Sequence, residues 1–111
     1  MNDITVTELK ARIDAGTAPV MIDVREPHEW SAQHLPGVQK ISLGMLAAPE
    51  IQDQIKGFGA DDAEVVFICR SGGRSGQAVQ FARQRLRLGN ARNLIGGMLA
   101  WKAEIDPEFN V

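Results

Sequence analysis

One short segment of this 111-residue chain combines the residue types that thiol chemistry needs. It reads Cys69-Arg70-Ser71-Gly72-Gly73-Arg74-Ser75 and contains the single cysteine of the sequence. Arg70 and Arg74 bring positive charge near the sulfur, and the two glycines permit the backbone conformations in which successive amides turn towards one anion. Because the thiolate, and not the thiol, is the nucleophile, these surroundings predict a reactive Cys69 with a lowered pKa.

A purely structural interpretation of the same segment also exists. Free cysteine is often a small buried hydrophobic residue, and two glycines are typical of a tight turn between a strand and a helix. A structural cysteine, however, does not require two arginines and two glycines in the next five positions. The composition of the segment therefore favours the chemical interpretation.

The elements on either side of the segment predict where it lies. Residues 65–68, Val-Val-Phe-Ile, are continuously apolar, as expected of a parallel strand covered on both faces. Residues 75–88 show helical periodicity, with Ala78, Val79 and Ala82 among the residues of one apolar arc. The segment is thus expected at the carboxyl end of a strand and the amino end of a helix, which is where open α/β sheets bind ligands and helices attract anions.

The rest of the chain alternates short apolar strands with helices, which predicts one α/β domain over residues 1–111 with a mostly parallel sheet. No repeat or linker-like tract interrupts it. The further predicted elements are a helix capped by Thr7 and ended by Gly16, strands at 20–24, 38–43 and 94–95, and helical segments at 27–33, 49–56 and 97–103.

The net charge of −2 conceals an uneven distribution of charge along the chain. Residues 1–64 carry eleven acidic and five basic side chains, whereas residues 65–103 carry seven basic side chains and no acidic one. Such a basic stretch can attract anions. A nucleic acid is not expected, because the stretch is poor in stacking aromatics, matches no nucleic-acid-binding motif, and places Arg83 and Arg87 on the polar arc of the predicted helix.

Several classes of protein and site are excluded or disfavoured by composition. A single cysteine cannot form an intramolecular disulfide or a cysteine-rich metal site. No signal-like start and no apolar run of about 20 residues is present, so a cytoplasmic protein without a membrane partner is expected. His28 and His34 have no partners at metal-ligand spacing, so no metal is expected. Asp23 and Arg25, after the strand at 20–24, are expected to form an ion pair that braces the site.

Four motifs in this order resemble the single-domain rhodanese family. They are Asp23-Val24-Arg25-Glu26 followed by Trp30, then His34-Leu35-Pro36-Gly37, then the segment from Cys69 to Ser75, and finally Gly96-Gly97-Met98-Leu99-Ala100-Trp101. The resemblance implies a rhodanese-like α/β fold with a central parallel five-stranded sheet and helices on both faces. It also implies a sulfurtransferase in which Cys69 carries a persulfide, cradled by the backbone amides of residues 70–75.

The resemblance further implies the substrates. Cys69 would take the outer sulfur of thiosulfate or a similar anionic donor, held by Arg70 and Arg74, and pass it to cyanide, to a thiol or to a sulfur-accepting protein. No organic cofactor or metal is required for this covalent chemistry.

Two other functions remain open from the sequence. The domain could carry sulfur or sense redox state as a non-enzymatic interaction module. It could also resemble cysteine phosphatases and arsenate reductases, in which five residues separate the cysteine from the arginine. Here only four residues separate Cys69 from Arg74, and this shorter loop favours a sulfurtransferase.

Overall fold

The computed structural model describes residues 3–111, and its centre is a five-stranded sheet. The strands are β1 (Asp3–Ile4), β2 (Val20–Asp23), β3 (Gln39–Lys40), β4 (Val65–Ile68) and β5 (Ala91–Leu94). All pairs are parallel, in the order β1-β5-β4-β2-β3. The predicted parallel five-stranded sheet is therefore confirmed, and β4, which directly precedes Cys69, lies in its central position.

Helices cover both faces of the sheet, as predicted. They are α1 (Val6–Asp14), α2 (Pro27–Ala32), α3 (Pro49–Phe58), α4 (Gly73–Arg85) and α5 (Gly97–Glu104), with 3₁₀ segments at Leu43–Ala47 and Ala60–Asp62. Among the helices of residues 3–111, none has both the length and the apolar character needed to cross a membrane.

Alternate residues of β4 build two separate cores because successive side chains of a strand point to opposite faces. Val65 and Phe67 pack on the face that contains α3 and α4, and Val66 and Ile68 pack on the face that contains α1 and α5. All four are fully buried. Cys69 follows β4 and continues the series Val65, Phe67, so its side chain lies on the same face as α4. The segment from Cys69 to Ser75 thus follows directly on a strand whose four residues are fully buried.

The start of α1 differs from the prediction. Thr5, and not Thr7, is the N-cap: its hydroxyl accepts a hydrogen bond from the Glu8 amide, and the Glu8 carboxylate accepts one from the Thr5 amide. This reciprocal capping box satisfies two backbone donors at once, which a cap at Thr7 would not do. The predicted end is confirmed, because Gly16 follows the helix with a φ of +75°.

The boundaries of α4 are also shifted. The helix begins at Gly73 and not at Ser75, so the last three residues of the segment from Cys69 to Ser75 are already helical. It ends at Arg85, three residues before the predicted end, and Arg87 has a φ of +61° that a helix cannot continue.

Two predicted strands differ from the observed ones. The strand expected at 38–43 is reduced to Gln39–Lys40 and is followed by a 3₁₀ segment. The last strand is Ala91–Leu94 and not 94–95, and its polar residues Arg92 and Asn93 concealed it from an analysis of apolar runs. The two-residue strand β1 was not predicted at all, since it forms only by pairing with β5.

Candidate functional site

The sulfur of Cys69 lies where β4 ends and is surrounded by hydrogen-bond donors. The Gly72 amide donates to Sγ at 3.0 Å and the Ser75 hydroxyl lies 3.2 Å from it. Gly72 has a φ of +103°, a conformation that favours glycine and that turns its amide inwards. Ser75 belongs to the first turn of α4, where backbone N–H groups have no partner within the helix. Hydrogen-bond donors of the loop therefore face the sulfur, and the binding of an anion by this loop stays a prediction.

The same surroundings set the pKa of the Cys69 thiol. Burial is the largest single influence and raises this pKa, because a thiolate is poorly solvated inside a protein. The Ser75 hydroxyl and the backbone amides of Ser75, Gly72 and Ser71 act in the opposite direction. Together they outweigh burial, so the pKa of Cys69 lies below that of an ordinary thiol. The loop thus favours the nucleophilic form of the sulfur.

The loop is held from behind by the start of α5. The amides of Met98 and Leu99 donate to the carbonyl oxygens of Cys69 and Arg70, both at 2.9 Å. These carbonyls must point away from the sulfur for the amides to point towards it. Gly97, with a φ of +57°, allows the close approach: a Cβ there would lie 2.3 Å from the Cys69 carbonyl oxygen. The Gly96-Gly97 motif is visible in the sequence, but its contact with the cysteine loop is not.

The two arginines of the segment have different environments. Arg70 directly follows Cys69 in the chain and is exposed. Arg74 makes a bidentate ion pair with Glu29 of α2, at 2.6 and 2.9 Å. The Arg74 hydrogen bonds lower the pKa of the Glu29 carboxyl to about 2. Binding of the anionic sulfur donor by Arg74 stays a prediction. The Arg74 guanidinium would have to divide its N–H groups between that substrate and Glu29.

Asp23 and Arg25 form the expected ion pair, completely buried beside the end of β4. Arg25 Nε and Nη2 donate to the Asp23 carboxylate at 2.9 and 2.8 Å, and Nη2 also donates to the Gln33 carbonyl at 2.7 Å. The adjoining Val24 amide donates to the Ile68 carbonyl at 2.8 Å. The pair thus joins β2 to the segment after α2, and its role in supporting the site stays a prediction.

Asn93 is a residue of the site that sequence analysis missed. It lies on β5, and its Nδ2 donates to the Gly72 carbonyl at 3.1 Å, while the Ser75 hydroxyl lies 2.6 Å from its Oδ1. The sequence signal that could have identified Asn93 is an amide side chain near the end of a strand adjacent to β4. Because Arg92 and Asn93 are polar, the strand itself was not recognised.

The fold gives several side chains of the basic stretch partners, two of which are acidic. Arg92 pairs with Glu64, Arg74 pairs with Glu29, and Lys102 donates to the Phe109 carbonyl. The acidic first part of the chain thus supplies partners for the basic second part. The expectation that nucleic acid is not the ligand stays a prediction.

The histidines do not form a metal site. His28 is exposed, and His34 Nδ1 lies 3.0 Å from the Leu35 carbonyl. Within residues 3–111, no group of three or more histidine, cysteine or acidic side chains is arranged to hold a metal ion.

Comparison with known proteins places this chain in a family. Residues 5–104 match the model of the rhodanese-like domain. The chain is 36% identical over 110 residues to the adenylyltransferase and sulfurtransferase MOCS3-2 of Zea mays, covering 97% of the chain and 22% of that protein. It is 32% identical to the putative sulfurtransferase YtwF of Bacillus subtilis, covering 97% of both.

Solved structures agree with this placement. The human single-domain sulfurtransferase TSTD1 has a TM-score of 0.74 and 26% identity, covering 94% of this chain and 97% of that one. The chain spans about a quarter of the length of MOCS3-2 and of the probable adenylyltransferase/sulfurtransferase MoeZ of Mycobacterium tuberculosis. The matches to sulfurtransferases support sulfur transfer in general. With its parallel sheet and amide-lined cysteine loop, the chain belongs to the rhodanese-like domain family.

Proposed function

We propose that the protein is a sulfurtransferase in which Cys69 alternates between a thiolate and a persulfide. The observation that carries the proposal is the set of donors around Sγ, namely the Gly72 amide at 3.0 Å and the Ser75 hydroxyl at 3.2 Å. These groups lower the pKa of the thiol against the effect of burial. A sulfur so placed is ionised more readily than an ordinary thiol, and the thiolate is the nucleophilic form.

The first half-reaction would be attack of the Cys69 thiolate on the outer sulfur of thiosulfate. The S–S bond of thiosulfate breaks, its electron pair leaves with sulfite, and a new S–S bond forms on Cys69. The negative charge then lies on the outer sulfur. The amides of Gly73 and Arg74, in the first turn of α4, are suited to this charge because they have no partner within the helix.

In the second half-reaction, an acceptor would attack the outer sulfur and release the Cys69 thiolate. Cyanide would leave as thiocyanate, and a thiolate acceptor would leave as a persulfide. Donor and acceptor thus bind the same loop in turn, which is ping-pong catalysis. No metal or organic cofactor takes part in either step.

A protein is a suitable natural acceptor for this site. The exposed large hydrophobic side chains of residues 3–111 are Met45, Ile95 and Leu99. Met45 follows β3, Ile95 follows β5, and Leu99 lies in the first turn of α5, so each belongs to a segment near the carboxyl end of the sheet. Exposed apolar groups near a reactive site favour contact with another protein.

A cytoplasmic location fits this chemistry, because a single low-pKa thiol persists in its reduced form where disulfides are kept reduced.

Mass spectrometry of the intact protein after incubation with thiosulfate tests the covalent step. We expect a gain of one sulfur atom that cyanide or a thiol removes, and no gain in Cys69→Ser. Since the chain has one cysteine, any persistent adduct in Cys69→Ser would place the chemistry elsewhere. A wild-type protein that gains no sulfur from any sulfane donor would contradict the proposed function.

Turnover measured across acceptors then tests the choice of partner. We expect transfer to a protein thiol to exceed transfer to a small thiol of similar pKa. Equal rates would contradict the protein acceptor while leaving the persulfide mechanism in place. Stable partner binding that survives Cys69→Ser, with negligible turnover, would favour a non-enzymatic interaction module, and release of phosphate from an aryl phosphate would favour a phosphatase.

A further inference from the structure

The Ser75 hydroxyl lies between two hydrogen-bond acceptors. It is 3.2 Å from Cys69 Sγ and 2.6 Å from Asn93 Oδ1. A hydroxyl carries one proton, so it donates to only one of these atoms at a time. Ser75 has no exposed surface, so bulk water does not compete for the proton. The two acceptors therefore compete for a single donor.

The orientation of the Asn93 amide is set by the loop itself. Its Nδ2 donates to the Gly72 carbonyl at 3.1 Å, so its Oδ1 faces Ser75. The side chain can thus offer Ser75 an acceptor but not a donor. The Gly72 carbonyl also accepts from the Gly76 amide at 3.0 Å. Because of this second bond, Gly72 remains anchored even without Asn93.

We propose that Asn93 is a positioning residue that takes the Ser75 hydrogen bond when Cys69 Sγ is neutral and returns it when the thiolate forms. This inference rests on the proposed sulfur transfer for its persulfide state. As a thiolate, Sγ attracts the Ser75 proton strongly, since hydrogen bonds to charged acceptors are about twice as strong as neutral ones. In the persulfide, the charge lies on the outer sulfur, Sγ is a weak acceptor, and the hydroxyl turns to Asn93. Only hydrogen bonds change, and the proton stays on Ser75.

The competition limits how far Ser75 stabilises the thiolate over the persulfide. Without the Asn93 oxygen, the hydroxyl would have Sγ as its one acceptor in both states. The thiolate would then be favoured, and its attack on a sulfur donor would be slower because a stabilised thiolate is a weaker nucleophile. A residue that merely supported the loop would have the opposite effect on the thiol, since its loss would weaken donation to Sγ.

The charged groups around the sulfur are the same in every variant used to test this. Arg70 and Arg74 come from the loop, and Glu29 of α2 pairs with Arg74. Behind them, Asp23 and Arg25 form their buried pair at the end of β2.

The test is the pH dependence of Cys69 alkylation by iodoacetamide in the wild type, Asn93→Ala, Ser75→Ala and the double variant. The single cysteine makes the site of modification unambiguous. In Asn93→Ala we expect the midpoint of the alkylation profile to move to lower pH. Below the midpoint, the thiolate fraction of Cys69 should be about three times that of the wild type, as the loss of a competing hydrogen bond implies. In Ser75→Ala the midpoint should move to higher pH. The double variant should match Ser75→Ala, since Asn93 acts through Ser75.

A matched control is Asn90→Ala, which removes an amide near the other end of β5, where it donates to the Asp62 carbonyl. Its midpoint should equal that of the wild type. Asn93→Val repeats the test with a side chain that is suited to a strand, and circular dichroism with thermal unfolding verifies that each variant is folded.

Three results would overturn the proposal. A midpoint in the Asn93 variants that is unchanged or higher than in the wild type would mean that Asn93 only supports the loop. An equal downward shift in the Ser75→Ala background would mean that Asn93 acts on the sulfur directly. Above the midpoint pH of both proteins, where Cys69 is all thiolate, we expect loading by thiosulfate to be about 1.7-fold slower in Asn93→Ala, because the rate follows about half of the change in the thiol pKa. Loading that is not slower there would also contradict the proposal. Alkylation needs no sulfur donor, so failure of wild-type loading would contradict the proposed function alone.

Discussion

Replacement of Gly97 by alanine is the sharpest single perturbation of the cysteine loop. Gly97 has a φ of +57°, and an alanine Cβ there would lie 2.3 Å from the Cys69 carbonyl oxygen and 2.6 Å from that of Arg70. Both contacts are with backbone atoms, which cannot move aside as the end of a flexible side chain can. The loop or the start of α5 must therefore shift.

The expected loss of stability has two parts. An L-residue in the left-handed region costs roughly 1–2 kcal/mol. Separation of α5 from the loop would also weaken the hydrogen bonds from Met98 and Leu99 to the two carbonyls, each worth about 1 kcal/mol. The total is about 3–4 kcal/mol, a large fraction of the stability of about 5–15 kcal/mol that is typical of a domain.

Urea unfolding, monitored by fluorescence of the buried Trp101, measures this loss. Gly16→Ala is the matched control, because Gly16 has a φ of +75° and nothing lies within 4 Å of its Cβ position. It should lose only the conformational part, about 1–2 kcal/mol. Alkylation of the folded variants, at urea concentrations below the unfolding transition, should show a higher pKa of the Cys69 thiol in Gly97→Ala. The pKa of this thiol should be unchanged in Gly16→Ala.

Unfolding of the two glycine variants at the same urea concentration would contradict the predicted clash at Gly97. A destabilised Gly97→Ala that keeps the wild-type alkylation profile would also contradict the prediction, because the contact of α5 with the loop would then have no influence on the sulfur.

Two further predictions concern ion pairs. Glu29→Gln should lower the free energy of unfolding by about 1 kcal/mol near neutral pH. The effect is small because Arg74 is partly exposed and solvent screens the ion pair. Since the folded pKa of Glu29 is lowered to about 2, this difference from the wild type should be complete above about pH 5 and disappear as the pH falls towards 2; a difference that is independent of pH in acid unfolding experiments would contradict it. Asp23→Asn should cost about 3–5 kcal/mol, because it leaves the Arg25 charge buried. Thermal unfolding checks this against Asp14→Asn, which breaks an exposed pair and should change little.

The local parts of the fold could be predicted because their signals are local. The apolar run Val65–Ile68 can be satisfied only by burial on both faces, so the central strand was predicted with its observed boundaries. Strands β1 and β5 were missed or shifted because they depend on pairing. Asp3–Ile4 is too short for a pattern, and Arg92 and Asn93 are strand residues only because their backbone bonds to neighbouring strands.

The candidate site divides in the same way. The cysteine, the glycines and the helix start lie within seven consecutive residues, so residue types alone predicted a donor-lined loop around the sulfur. The groups that hold the segment in place come from elsewhere: Glu29 is 45 residues from Arg74, and Asn93 is 18 residues from Ser75. No pattern of spacing along the chain signals a hydrogen bond between such distant residues.

The sequence by itself determined that this protein is an α/β domain whose single cysteine follows a central strand and precedes a helix, since periodicity, glycine content and charge act over a few residues. The tertiary structure decided which charges remain available to a substrate, that Arg74 is paired, and that Ser75 stands between Cys69 and Asn93. The physical reason is that hydrogen bonds and ion pairs act over about 3 Å in space. Only the folded chain brings such partners within that distance.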